Sequence, residues 1–146
     1  MTAILIGKCC CRPVEYNSLD MVLRHTLGPP TTPITSGTLT LYYYEQFSTH
    51  ETDITFDLDI SPIEGKTVSE IWDQDWTFKL LENGEEAGRV IYHFVRGESS
   101  STFFVNITVY YAGYVFRAED CNTQEAPMSG LTVSRHSCTQ ESVPRQ

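Results

Sequence analysis

In the segment Thr52-Asp53-Ile54-Thr55-Phe56-Asp57-Leu58-Asp59-Ile60, polar and apolar residues alternate without exception from Asp53 to Ile60. Successive side chains of a β-strand point to opposite sides, so this segment predicts a strand with one apolar and one polar face. Similar segments follow one another from residue 38 to residue 119, separated by short turns. They predict six or seven strands with no room for crossover helices, so the sheet is expected to be antiparallel.

The strongest turn signal is Asn83-Gly84, because both residues tolerate the positive φ angles of a two-residue hairpin turn. The most apolar strand, residues 102–111, would be prone to aggregation at an open sheet edge. A barrel removes both edges. We therefore predict an all-β fold, a single antiparallel barrel of about eight strands formed by residues 1–146, with a sandwich as the alternative.

The two ends of the chain are less regular than its middle. Residues 1–37 are predicted to form an irregular segment, with a first strand at Thr2–Lys8 and a short helix that begins at Asn17 or Ser18 and ends before Gly28. Residues 38–119 hold the core strands. Leu131-Thr132-Val133 would complete the sheet, and residues 134–146, which are polar, are predicted to be a flexible tail.

Composition excludes several classes of function. The 146 residues have a net charge of −9, and the 10 basic residues are scattered, which disfavours nucleic acid or an anionic membrane as the main partner. The five cysteines include three in a row, Cys9-Cys10-Cys11, and do not suggest a disulfide framework. No apolar run is long enough for a membrane span or a signal peptide. We expect a cytoplasmic protein with no metal and no cofactor.

Four residues are candidate catalytic residues: Tyr44, Glu45, Tyr92 and His93. Burial near an apolar strand would raise the pKa of Glu45 towards that of a useful general acid or base; the alternative is a glutamate that faces water at a strand end. His93 would move a proton, or would simply be an exposed strand residue.

Tyrosines and other aromatic residues recur on several strands and would line an apolar cavity with hydroxyl groups, unless they only pack the core. The candidate substrate-binding residues are Tyr42, Trp76, Phe78, Phe94, Phe104, Asn106, Tyr110, Tyr114 and Phe116. Trp72, Asp73, Asp75 and Trp76 form a separate cluster, which suits a sugar or a cation, or a turn whose tryptophans fold into the core.

Three short motifs resemble the allene oxide cyclase and dirigent-type barrel superfamily. Tyr44-Glu45 is similar to a Tyr-Glu pair of the cyclases, Asp75-Trp76-Thr77-Phe78-Lys79-Leu80-Leu81 is similar to a segment that follows, and Ala87-Gly88-Arg89 is similar to the Val-Gly step of the next strand. The apolar strand at Phe103 to Gly113 would come next, so the resemblance covers residues 38–118. Phe47, Phe78 and Phe94 depart from the cyclase pattern, and its Gly-Gly-x-Gly stretch is missing.

The resemblance implies an eight-stranded barrel with an apolar cavity, often oligomeric, that steers cyclisation without a cofactor, with Glu45 as the functional glutamate. The expected function is thus a cyclase or isomerase that closes a ring, as in a Diels–Alder reaction, on a polyene or polyketide intermediate of natural-product biosynthesis. One alternative is a lipocalin-like protein that binds a small hydrophobic molecule without chemistry. The other is a structural or interaction domain.

Overall fold

The computed structural model describes residues 17–45, 48–97 and 103–143. The strand expected at Thr2–Lys8 lies outside these ranges. Two short 3-10 turns, Ser61–Ile63 and Val68–Glu70, precede the fourth strand. The described strands, numbered in chain order, are β1 Asn17–His25, β2 Ile34–Tyr44, β3 Glu51–Asp59, β4 Gln74–Glu82, β5 Glu85–Arg96, β6 Phe103–Tyr111, β7 Tyr114–Asn122, β8 Gln124–Ala126 and β9 Gly130–Ser142.

All neighbouring strands are antiparallel, and eight of them close a barrel. The order around the sheet is β1-β2-β3-β4-β5-β6-β7-β9, and β9 also pairs with β1. β9 divides its pairing: Gly130 to Cys138 face β1, and Thr139 to Ser142 face β7. β8 pairs only with β9 and lies outside the barrel. The predicted all-β antiparallel barrel is confirmed.

The apolar face predicted from the alternating segment lies inside the barrel. Four register partners, Val133, Met21, Leu39 and Phe56, form a belt across β9, β1, β2 and β3. All four are buried. The aspartates of β3 lie on the outer face, because side chains alternate along the strand.

The helix expected near residue 17 is wrong, because residues 17–25 form strand β1. Leu19, Met21 and Leu23 point into the barrel with period two and are fully buried. Leu27, which lies within the range predicted for the helix, is 82% exposed. The sequence here fits a helix as well as a strand, because Val22 interrupts the apolar-polar alternation.

The tail expected from residue 134 is also wrong as far as Ser142, since β9 continues to that residue. The position of this segment in the barrel explains why it is polar. Beyond the bulge between Val133 and His136, β9 closes the barrel mainly through backbone hydrogen bonds to β1 and β7, which do not require apolar side chains.

The hairpin predicted at Asn83-Gly84 is confirmed, with φ angles of 53° and 83°. Ala112-Gly113 makes a second turn of the same kind, with φ angles of 54° and 84°. Both turns lie at the end of the barrel where β2 ends and β3 begins, which we call the Tyr43 end. Strands β1, β3, β5 and β7 end at the other, the Trp72 end.

No helix within the described ranges has both the length and the apolar character needed to cross a membrane.

Candidate ligand pockets at the two barrel ends

The structure does not bring the four candidate catalytic residues together. Tyr92 is fully buried inside the barrel, whereas His93, the next residue of β5, lies on the outer face. Tyr44 is half-buried at the end of β2, and Glu45 is exposed at the Tyr43 end. Adjacent residues of one strand point to opposite faces, so Tyr92 and His93 do not share a site.

The candidate substrate-binding residues divide in the same way. Those inside the barrel or at its ends are Trp76, Phe78, Phe94, Tyr114 and Phe116. Those on the outer face are Tyr42, Phe104, Asn106 and Tyr110. Arginine side chains cover two of the outer tyrosines. The guanidinium carbon of Arg135 lies 3.8 Å from the ring centroid of Tyr42, and that of Arg89 lies 4.2 Å from the ring centroid of Tyr110.

His93 belongs to a polar row on the outer face. It is hydrogen-bonded to Asp75 across β4 and β5 and is the register partner of Asn106 on β6. Asn106 in turn accepts a hydrogen bond from the backbone of Asp120 at 2.8 Å. The side chains of His93 and Asp75 are 50% and 67% exposed, so water competes for this dyad. No group of three His, Cys, Asp or Glu that could hold a metal ion occurs in the described part of the chain.

An aromatic ladder occupies part of the lumen in which a ligand was expected. Phe78 contacts Tyr92 with ring centroids 5.4 Å apart, and Tyr92 contacts Phe94 at 5.7 Å. Phe94 then contacts Trp72 at 5.5 Å. Burial raises the pKa of the Tyr92 phenol far above its usual range, and its hydroxyl has no hydrogen-bond partner among the described residues. The ladder stabilises the core and leads to a cavity at the Trp72 end.

That cavity, the Trp72 pocket, has a volume of about 340 Å³. An indole, a phenyl ring and an isobutyl group give it an apolar lining, and charged and hydroxyl groups surround them. The lining residues are Ser69, Trp72, Arg96, Phe103, Thr123, Glu125 and Leu131. Ligand sites commonly combine apolar walls with a few polar groups in volumes of about 300–1,000 Å³.

Asp73 fixes Trp72 over the end of the barrel. Its φ of 61° is left-handed, a conformation that aspartate tolerates better than most residues. Its backbone N–H donates to the carbonyl of Phe94 at 2.9 Å, and its carboxylate accepts from the backbone N–H of Arg96 at 3.0 Å. Trp76 adds a hydrogen bond from its indole N–H to the carbonyl of Ile71 at 3.0 Å. The chain before β4 is thereby tied to β5.

Phe103, at the start of β6 and paired with Arg96 of β5, forms another wall. Its ring packs on Trp72 with centroids 4.9 Å apart, and its carbonyl accepts a hydrogen bond from the hydroxyl of Thr123 at 3.2 Å. Arg96 also lines the pocket. Its guanidinium lies 4.0 Å from the Asp73 carboxylate, and its side chain is 47% exposed. The pocket therefore offers stacking surface together with a cation that remains accessible.

The second cavity, the Tyr43 pocket, has a volume of about 190 Å³ at the opposite end. Its lining residues are Tyr43, Glu45, Tyr111, Ala112, Tyr114, Phe116 and Gln140. The Tyr43 ring meets Tyr111 at 79° and Phe116 at 63°, with centroid distances of 6.4 and 5.9 Å. Tyr114 packs on Phe116 at 6.3 Å. The rings are steeply inclined to one another, so they form walls of different orientation.

Two phenols of this pocket, those of Tyr43 and Tyr111, have a raised pKa. Burial is the main cause of the raised pKa of Tyr43, and the charges of Tyr111 and Glu45 add to it. Burial likewise raises the pKa of Tyr111, and Glu82 is the next largest cause. Both phenols remain neutral at physiological pH, and two carboxylates make the potential at this end negative.

Two cysteines face the interior where β7 and β9 meet. Burial raises the pKa of Cys121 and of Cys138 to about 12, from an ordinary 9.0. The unfolded chain therefore loses these protons at lower pH than the folded protein does. Their contribution to stability is fully present below pH 9 and is lost as the pH rises towards 12.

We expect the urea concentration at the midpoint of unfolding to be constant from pH 7 to 8.5 and to fall between pH 9 and 11. Cys121→Ala should be less stable at pH 7, because it leaves a small cavity, but its midpoint should fall less steeply with pH. Equal slopes in the two proteins would show that the Cys121 thiol is not a source of the pH dependence.

Sequence reasoning missed most of the Trp72 pocket. Trp72 was noted as part of a cluster, but Arg96, Phe103 and Thr123 had no local signal, because strands distant in the sequence bring them together. Aromatic residues at strand termini, such as Phe103 at the start of β6, are a signal that points to the barrel ends.

No protein-family model, no curated protein and no solved structure matches this chain. The relationship to the allene oxide cyclase and dirigent-type barrels stays a prediction, and function has to be argued from the pockets themselves.

Proposed function

We propose that this protein binds a small hydrophobic molecule with an anionic group in the Trp72 pocket. The observation that carries the proposal is that Arg96, Trp72 and Phe103 together line one cavity of about 340 Å³. Stacking on the two rings would supply most of the affinity, and a bond to the guanidinium would orient the anionic end. Glu125, also in the lining, would disfavour a second anionic group.

Binding is preferred to ring closure because the residues that ring closure would need lie apart. Glu45 lines the Tyr43 pocket, Tyr92 is enclosed in the core and His93 is on the outer face. A cyclase that acted only by confining its substrate would use the same Trp72 pocket, so the ring-closing function stays a narrower prediction within this proposal.

Two fluorescent probes test the proposal, 1-anilinonaphthalene-8-sulfonate and its uncharged relative N-phenyl-1-naphthylamine. We expect both to bind saturably with one site per chain. Phe103→Ala should weaken both, by roughly tenfold, since it removes one stacking surface. Arg96→Gln should weaken only the sulfonate, by roughly 3- to 10-fold, as expected for a partly exposed charged contact.

Arg89→Gln is the matched control, because Arg89 lies on the same strand but covers Tyr110 on the outer face. Circular dichroism and thermal unfolding of each variant verify that the barrel is folded, since partly unfolded protein also binds these probes. The proposal fails if folded wild type shows no saturable binding, or if Arg96→Gln and Arg89→Gln affect the sulfonate equally.

A further inference from the structure

We propose that the Tyr43 pocket is a second binding site, which takes a small quaternary ammonium cation of the choline type. It lies at the opposite end of the barrel from the Trp72 pocket and shares no lining residue with it. The inference is therefore independent of the proposed function.

The first argument is the chemistry of the walls. Four aromatic rings line the pocket: Tyr43, Tyr111, Tyr114 and Phe116. The face of an aromatic ring is electronegative and attracts cations, and cages of several inclined rings are the usual way in which proteins hold quaternary ammonium groups. Here the ring planes meet at angles from 54° to 79°, as a cage requires and a flat stacking surface does not.

The second argument is charge. Glu45 is the charged residue of the lining, and no Lys or Arg belongs to the described pocket. The carboxylate of Glu82 also acts on the Tyr43 and Tyr111 phenols and raises their pKa. A cation is favoured in this negative potential, and an anion is disfavoured.

The third argument is size. A volume of about 190 Å³ is below the range of about 300–1,000 Å³ that is usual for drug-sized ligands. It suits a head group of a few heavy atoms. A quaternary ammonium has no N–H to donate, so the rings satisfy it without hydrogen-bond acceptors.

The test compares choline chloride with 3,3-dimethylbutan-1-ol, which has the same shape but no charge. Amide chemical shifts in NMR spectra report both affinity and location. We expect choline to shift the amide signals of Ala112 and Gln140 in a saturable way, at constant ionic strength. The alcohol should bind roughly 3- to 30-fold more weakly, which corresponds to the range of cation–π energies.

Two variants and one control assign the site. Tyr114→Leu should weaken choline binding by roughly 3- to 30-fold, and Glu45→Gln, an exposed change that leaves the rings in place, by roughly 2- to 5-fold. Tyr110→Leu should leave the affinity for choline unchanged. Tyr110 lies near the turn between β6 and β7, but its ring is on the outer face of the barrel, under Arg89. The affinity of a peptide with one trimethyllysine, compared with that of choline, then shows whether the pocket binds a free quaternary ammonium or one on a protein side chain.

Three results would overturn the inference: equal affinity for choline and the alcohol, shifts that map outside the Tyr43 end, or equal effects of Tyr114→Leu and Tyr110→Leu. None of them bears on the Trp72 pocket, because the two pockets share no lining residue and the proposed function is tested through Arg96 and Phe103.

Discussion

Replacing Gly130 with alanine is expected to lower the free energy of unfolding by at least about 3 kcal/mol. A Cβ at this position would lie 1.9 Å from the carbonyl oxygen of Leu23 and 3.0 Å from the Cα of Arg24. Both are backbone atoms of β1, so no side chain can rotate away. The φ of 144° adds strain for any residue with a Cβ.

The position explains why the effect should be large. Gly130 is the first residue of β9 and pairs with Arg24, so it begins the contact by which β9 closes the barrel against β1. A displacement there would move Leu131, whose buried side chain also lines the Trp72 pocket. Probe binding at that pocket should therefore weaken together with stability.

Gly65→Ala is the matched control. Gly65 also has a positive φ, of 80°, but an added Cβ would meet no atom within 4 Å. Its replacement should cost only about 1 kcal/mol, the penalty of the left-handed conformation alone. Urea unfolding followed by tryptophan fluorescence measures both variants. If Gly130→Ala and Gly65→Ala lower the free energy of unfolding equally, the close approach of β9 to β1 at Gly130 makes no separate contribution.

The strands from Leu39 to Phe116 were predictable because one side of the sheet is dry. In β3, Phe56 and Leu58 are inside and their aspartate neighbours are outside, so period two is visible in the sequence. The hairpin at Asn83-Gly84 was predictable for a local reason as well, since few residue pairs adopt positive φ at both positions.

The first and last strands were not predictable from the same signal. β1 contains Met21-Val22-Leu23, in which the middle residue is apolar although it faces outward, and such a run fits a helix or a strand equally well. Apart from Cys138, which packs against the core, the second half of β9 is polar on both faces. Its register is set by backbone pairing to β1 and β7, information that its own side chains do not carry.

Site residues are harder to predict than strands because a pocket at a barrel end draws on distant elements. The Trp72 pocket joins a loop before β4, the end of β5, the start of β6 and the start of β9. Tyr92 and His93 are adjacent in a strand and so face opposite ways, but the alternation alone does not show which of them faces inward. An error of one residue in register exchanges the two faces, and only the closed barrel shows that Tyr92 is inside.

Two substitutions of Tyr92 test its ring and its hydroxyl separately. Their effects on the free energy of unfolding should have opposite signs. Tyr92→Ala removes a fully buried ring that contacts Phe78 and Phe94, and should lower the free energy of unfolding by about 3–5 kcal/mol. The cavity would lie in the middle of the aromatic ladder, so the surrounding rings cannot close it without losing contact with one another.

Tyr92→Phe keeps the ring and removes a hydroxyl that has no partner among the described residues. Burying an unsatisfied hydroxyl costs about 1–3 kcal/mol, so this variant should gain about 1 kcal/mol and melt roughly 2–4 °C higher. Differential scanning calorimetry measures both variants against wild type. A loss of stability in Tyr92→Phe would mean that the hydroxyl has a bound partner in solution, and only then would Tyr92 regain a case as a catalytic residue. A gain would place Tyr92 with the core and leave the chemistry of this protein to the two ends of the barrel.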